Sequence, residues 1–233
     1  MTAQELTHRD PNLDSNGLQG GFEFSDGQMD DYALGMRVAD QAKKSGVEIA
    51  EHTEVKVITS AGQVTVTSGD THKYDRLINI AGPWAHQLMR QSEIETPFQL
   101  DLVRCSHIVL QHSCQQAYLL EAPIDRHLFF VFPWQGNTLV GTTEERQGLD
   151  EPIACSREEQ DYLVDAWSHY FSNTQPKIHE VFAGLRALLR SAQDPNKASR
   201  EYAIHHSENL ITVFTGKWAT ALALAEKVPH IIH

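Results

Sequence analysis

Between Phe98 and about Thr143 helical periodicity disappears, and three strand-forming runs succeed one another: LVRCSHIVL, HLFFVFPW and NTLVGTTE. Polar loops separate them, so each run reads as one pass across a sheet before the chain turns back. An antiparallel sheet is the simplest arrangement of such a block. The segments on either side of it decide the fold class.

On the N-terminal side, Thr2 and Glu5 form a T-x-x-E capping box that opens a short helix, and Gly21 to Phe24 reads as a brief strand. Asp30 and Asp31 then start an amphipathic helix through Tyr32, Leu34, Met36, Val38, Ala39 and Ala42, closed by Lys43, Lys44 and Gly46. Strands follow at Val47 to Ala50 and Val55 to Ile58, at Gln63 to Thr67 with period two, and at Tyr74 to Ala81, which stops before Gly82-Pro83. On the C-terminal side, Ser156 opens a helix that carries Glu158 and Glu159 in its first turn and runs to about Phe171. Strands return at Val181 to Leu189, Arg200 to His205 and Leu210 to Phe214, and Thr215-Gly216 then turns the chain into a helix from about Ala219 to Lys227. The fold class is therefore mixed α/β (α+β), with an antiparallel sheet inserted between two α/β segments.

Charge and composition exclude some functions. The formal net charge is -12 and the cations are scattered, which argues against a nucleic-acid partner. The apolar runs fall well short of the roughly 20 residues that span a bilayer. Cys105, Cys114 and Cys155 lack C-x-x-C spacing and read as free thiols in a reducing compartment. The thirteen histidines contain no H-E-x-x-H, and His205-His206 would point to opposite faces of a strand, so no metal site is expected.

The residues suited to chemistry cluster late in the chain. Arg186 in FAGLRALL, Arg200 in SREYAI and Lys217 in TGKW would bind a phosphate or carboxylate if they converge, although each alone reads equally as a solvated strand-end residue. His107 lies inside an apolar strand, with Arg104 on the opposite face. Its near-neutral pKa suits it to accept a hydroxyl proton as a secondary alcohol becomes a ketone, while a core or edge role fits the same position. Gly82 allows the backbone to approach a ligand or simply ends a strand. Trp134 and Thr142-Thr143 close adjacent strands, where an aromatic wall and hydroxyls could line a pocket. The strand, glycine turn and helix around Gly216 leave backbone amides free for an anion.

Taken in order, GGFEFSDGQMDD, YDRLINIAGPWA, LVRCSHIVL, FVFPW, LVGTTE, FAGLRALL, SREYAI and TGKWATA resemble the FAD-dependent glycerol-3-phosphate dehydrogenases, within the D-amino-acid oxidase-like flavoproteins, from about Gly20 to Lys227. The resemblance implies a partial FAD-binding domain over residues 1–94, a substrate sheet over 95–180 and a return to the FAD-binding domain over 181–233. It implies that Arg186 and Arg200 hold the substrate phosphate, that His107 lies beside the reacting hydroxyl, and that Lys217 sits near flavin and substrate. Val55, Ala81, Gly82, Trp84, Thr143, Gly216 and Lys217 would lie against FAD. It also implies glycerol 3-phosphate as substrate and hydride transfer from substrate C2 to flavin N5. A quinone would be the electron acceptor, and the full-length enzyme would be cytoplasmic with peripheral contact at the inner membrane.

The sequence departs from that pattern at three places. No G-x-G-x-x-G follows a strand, since Gly17, Gly20 and Gly21 do not make one. Thr215, Ala219 and Ala221 stand where the family reads closer to G-G-K-W-T-T-Y, and Cys105 stands where it has glycine. A missing pyrophosphate cradle weakens flavin binding, so the expectation is a central and C-terminal part that is inactive when expressed alone. Two other readings stay open: an amino-acid or sarcosine oxidase relative whose cations hold a carboxylate, and a non-catalytic remnant of the family.

Overall fold

In the computed structural model, residues 1–190 and 201–232 are described. The chain opens with α1 (Ala3–Arg9), α2 (Asp31–Lys44), β1 (Val55–Ile58), β2 (Gln63–Val66), β3 (Thr71–Lys73) and β4 (Leu77–Asn79). A single 3-10 turn at Gly82–Trp84 leads into α3 (Ala85–Gln91). The strands β5 (Leu100–Leu110), β6 (Tyr118–Glu121), β7 (Leu128–Trp134), β8 (Asn137–Gly141) and β9 (Glu145–Arg146) come next, followed by α4 (Arg157–Tyr170). The chain continues with β10 (Ile178–Leu189), β11 (Ala203–Ser207), β12 (Leu210–Phe214), a 3-10 turn at Trp218–Thr220 and α5 (Ala221–Ile232). The mixed α/β class expected from the sequence is found.

The chain divides into two compact units. The first comprises Met1–Ser25 and Leu102–Arg186. Its sheet has the order β10-β5-β8-β7-β6, with β9 also pairing β5. The β5–β8, β7–β8 and β6–β7 pairs are antiparallel, as the three strand-forming runs predict. Alternation along the strands sends Ile108, Leu110, Phe129, Val131 and Val140 to one face, where they form a core with Leu163, Ala166 and Trp167 of α4. Trp167 also stacks on Phe171, with ring centroids 5.1 Å apart and planes 15° from parallel. Each end of α4 is set locally, by a Ser156–Glu159 capping box at the start and by the Phe171 amide bonding back to Trp167 at the close.

The N-terminal segment packs into the first unit. Leu13 belongs to the core of the first unit and Leu6 packs against it. The Tyr118 hydroxyl donates to Asp10 at 2.6 Å, and the Asp14 amide donates to the Tyr170 carbonyl at 2.7 Å. Gly21 to Phe24 is not a strand: Gly20 makes only an isolated bridge with Thr2, and Phe22 is 99% exposed. Apolar alternation cannot form a strand without a partner edge and a face to bury.

The second unit comprises Asp26–Asp101 and Ala187–His233. The antiparallel set β1-β2-β3 and the set β11-β12-β4 are its two sheets among the described residues, with β4 parallel to β12. Ala85 and Met89 of α3 are fully buried in a core with Ile58, Val64, Val66, Leu210 and Phe214. The α2 helix runs as expected, with Asp30 accepting from the Ala33 amide as its cap. The strand expected at Val47 to Ala50 is absent; both Val47 and Ile49 are exposed, and the Val47 amide bonds back to Ala42 to close α2.

Candidate active site

In the first unit, His107 and Gly141 face one another across the antiparallel β5–β8 pair. The His107 ring fills the space that a side chain at Gly141 would need, since a Cβ there would lie 2.3 Å from His107 Cδ2. On its other side the ring stacks on Phe182 of β10, with centroids 5.0 Å apart and planes 10° from parallel. The ring is half-buried, and its Nδ1 is buried with no hydrogen-bond partner. Burial pushes the imidazole down to about 4, helped by the Arg186 cation and opposed by the Cys105 backbone. At neutral pH this is an uncharged imidazole with a hydrogen bond still to make.

Arg186 joins the same face. Phe182, Gly184 and Arg186 occupy alternate positions of β10, and alternate residues of a strand share a face. A Cβ at Gly184 would have nothing within 4 Å, so the strand leaves open space between the Phe182 ring and the Arg186 guanidinium. Arg186 Nη1 donates to Glu144 Oε1 at 2.9 Å, with both side chains partly exposed.

Thr143, expected to touch the cofactor, has its hydroxyl committed elsewhere. It donates to Glu159 Oε1 at 2.6 Å and accepts from the Ser106 amide at 3.0 Å, and the residue is buried. Any ligand contact from Thr143 therefore falls to its backbone. The same Glu159 carboxylate receives Arg104 Nη2 at 2.9 Å and the Ser156 amide at 3.0 Å. Desolvation raises the Glu159 pKa, yet the bonds from Thr143, Ser156 and Arg104 outweigh it and bring the group down to about 2. This buried carboxylate ties the start of α4 to the strands that carry His107. Arg104 is turned to it, on a different errand from His107, as the strand alternation implies.

In the second unit, the parallel strands β4 and β12 both run into glycine turns followed by helices. After β4, the Asn79 side chain accepts from the Ala81 amide at 3.2 Å and donates to the Ala85 carbonyl at 3.3 Å, which shapes the bend. Gly82 in that bend has φ 57, with nothing within 4 Å of a Cβ. Trp84 is 50% exposed beside it. After β12, Thr215 (φ 58) and Gly216 (φ 126) turn the chain, and the Thr215 hydroxyl donates to the Ala187 carbonyl at 2.5 Å. Gly216 and Lys217 line a cleft of about 200 Å³ together with Tyr202, Thr220 and Lys227. Lys227 Nζ donates to the Tyr202 hydroxyl at 2.6 Å, whereas Lys217 is exposed. Glycine turns at the carboxyl ends of adjacent parallel strands, each opening a helix, are where open α/β sheets bind ligands.

The structure thus brings His107 together with Arg186, and Gly216 together with Lys217. Ala81, Gly82 and Trp84 form the turn after β4, while Val55 opens β1 opposite Val66 with its side chain packed toward the core. Arg200 lies outside the described residues. Gly141, Phe182, Glu144 and Glu159 were not singled out as site residues by sequence reasoning. The alternation of Phe182, Gly184 and Arg186 was a usable signal; the reach of Glu144 to Arg186 and of Glu159 to Thr143 is non-local and left none.

Comparison with known proteins shows what the chain is similar to. A family model described as "FAD dependent oxidoreductase" matches residues 1–226. An aerobic glycerol-3-phosphate dehydrogenase of Staphylococcus haemolyticus is 27% identical over 93% of this chain and 42% of its own length. The crystal structure of a Bacillus halodurans glycerol-3-phosphate dehydrogenase complexed with FAD superposes with a TM-score of 0.85 at 22% identity, covering 100% of this chain and 48% of that one. A Geobacillus kaustophilus glycine oxidase shares the fold at a TM-score of 0.73 and 19% identity, over 95% of this chain and 58% of that one. The chain spans less than half the length of the curated relatives it matches, 42% to 46% among those with the strongest matches.

Proposed function

The chain belongs to the FAD-dependent oxidoreductase family, and from that premise we propose that it supplies the substrate-side face and part of the flavin-binding surface of an enzyme that oxidises sn-glycerol 3-phosphate to dihydroxyacetone phosphate. The observation that carries this reading is an uncharged imidazole, His107, on the same open strand face as a guanidinium, Arg186. One handles the proton of a secondary alcohol and the other an anionic group on the same small molecule.

The residues present fit a dinucleotide at the β4 and β12 strand ends. Gly82 and Gly216 hold conformations that side chains resist, and Gly82 borders open space. There Ala81, Gly82, Trp84, Gly216 and Lys217 would hold the cofactor, with Val55 contributing backbone. When bound, FAD supplies the acceptor for the hydride leaving substrate C2.

The remaining work falls to this chain's own side chains. Arg186 holds the phosphate, whose dianion suits a guanidinium fork; Arg200, given the same role by the motif resemblance, lies outside the described residues. His107, uncharged at neutral pH, accepts the hydroxyl proton on its imidazole. Lys217 borders the glycine turn, where its cation would hold an anionic group of the cofactor. Transfer of the electrons to a quinone, in a cytoplasmic protein with peripheral contact at the inner membrane, is the finer part of the proposal. It is supported by the description of the relatives as aerobic dehydrogenases. The activity proposed is that of a protein of the relatives' full length.

The test is anaerobic reduction of the FAD-loaded protein followed by visible absorbance. Bleaching of the flavin by sn-glycerol 3-phosphate and not by glycine or sarcosine is the expected result. Bleaching by the amino acids alone would replace this reading with an amine-oxidising one.

A further inference from the structure

Glu144 is the carboxylate paired with Arg186 among the described residues, and its backbone is fixed on both sides. Before it, Gly141 is paired with His107, and the buried Thr143 is bound to Glu159 and to the Ser106 amide. After it, Glu145 pairs with Arg104 and Arg146 with Val103 in the β5–β9 ladder. The carboxylate therefore has a fixed origin and reaches Arg186 Nη1 at 2.9 Å. Its side chain is 46% exposed, so it can leave the guanidinium for water without being buried unpaired elsewhere.

We propose that Glu144 is a specificity-determining residue: an internal anion that occupies Arg186 when no ligand is present and competes there with the anionic group of the substrate. The inference rests on the reading of Arg186 as the anion-holding residue. Two anions cannot share one side of a guanidinium without repelling each other, so an incoming phosphate must displace Glu144 or bind against its charge. An exposed pair of this kind is weak, and a ligand that brings two charges and several acceptor oxygens outcompetes it. A singly charged ligand gains less for the same displacement. Product release is eased for the same reason, because Glu144 is at hand to take the vacated guanidinium.

The experiment measures binding of inorganic phosphate to the full 233-residue chain by calorimetry, in the wild type, Glu144→Gln, Glu144→Asp and Arg186→Met. Circular dichroism checks that each variant is folded. Glu144→Gln is expected to tighten phosphate binding about threefold to tenfold, since the lost competition is that of a partly exposed ion pair. Glu144→Asp, which keeps the charge on a shorter stem, should fall between wild type and Glu144→Gln. Arg186→Met should weaken phosphate binding about tenfold or more, the loss expected for a charge-assisted contact, and in that background Glu144→Gln should have no further effect. If Arg186→Met weakens binding while Glu144→Gln leaves it unchanged or weaker, the role of Glu144 is overturned and the reading of Arg186 survives. If Arg186→Met has no effect, both fall together.

Discussion

Gly141 and His107 are partners whose geometry excludes any other residue at position 141: a Cβ there would stand 2.3 Å from Cδ2 and 2.9 Å from Cγ of the imidazole. The neighbouring atoms belong to a ring wedged against Phe182, so it cannot give way without losing that stack. Gly141→Ala should therefore cost about 1–3 kcal/mol of stability, the range for overpacking a tight site, and should move the His107 ring. Thermal denaturation reads the first effect and the histidine ring resonances the second. An unchanged melting temperature with unchanged resonances would show that the ring is not held as described.

The His107 imidazole, held down to about 4 by burial and by Arg186, gives a pH dependence of defined sign. The unfolded chain binds its proton near pH 6.5 and the folded chain near 4, so over that window the unfolded state binds more protons. Stability from this group is complete above about pH 6.5 and is lost as pH falls toward 4. Arg186→Met should raise the midpoint, since it removes one cause of the depression. NMR titration of the ring protons checks both statements, and a midpoint near the ordinary histidine value in the wild type would contradict them.

Glu159 is held ionised despite its burial, because Thr143, Ser156 and Arg104 all stabilise its charged form against desolvation and bring it down to about 2. A carboxylate with a depressed folded-state pKa contributes stability above its unfolded value, and that contribution is lost as pH falls toward 2. Glu159→Gln leaves Arg104 without its charge partner and should cost about 3–5 kcal/mol, as breaking a buried pair does. Chemical denaturation at several pH values would show a large loss at neutral pH that shrinks in acid. A loss equal at all pH values would assign the effect to packing rather than charge.

Gly216 adopts φ 126, outside the region open to residues with a side chain. Gly216→Ala should cost about 1–3 kcal/mol in backbone strain and weaken FAD binding at the turn after β12. Flavin fluorescence titration together with denaturation separates the two effects. Full flavin affinity in a destabilised variant would remove Gly216 from the cofactor site while leaving its structural role intact.

Much of this architecture could be read from local pattern. The Thr2–Glu5 capping box, the Asp30 cap of α2, the Ser156 start of α4 and the three inserted strands depend on residues close in sequence, and each stands where its pattern places it. The failures share one cause. Val47 to Ala50 and Gly21 to Phe24 have strand-like composition but neither is a strand among the described residues, and only tertiary contacts could reveal that. Conversely β6, β3 and α3 were not foreseen, because short elements with mixed composition are held by neighbours rather than by propensity. In the site, His107 and Arg186 were visible as residue types in suggestive runs. What the pattern did not show was their use: the ring seated on Gly141, the Thr143 hydroxyl taken up by Glu159, and Arg186 engaged by Glu144, all joined by contacts between residues far apart in sequence.

The central claim, that the strand face carrying His107 and Arg186 receives a phosphate ester bearing a secondary alcohol, is tested most directly by NMR titration of the histidine-labelled chain with sn-glycerol 3-phosphate. The account predicts a saturable shift of the His107 ring resonances that is lost in Arg186→Met, is reproduced weakly by inorganic phosphate and is absent with glycine. An undisturbed His107 at saturating glycerol 3-phosphate, or an equal response to glycine, would contradict it.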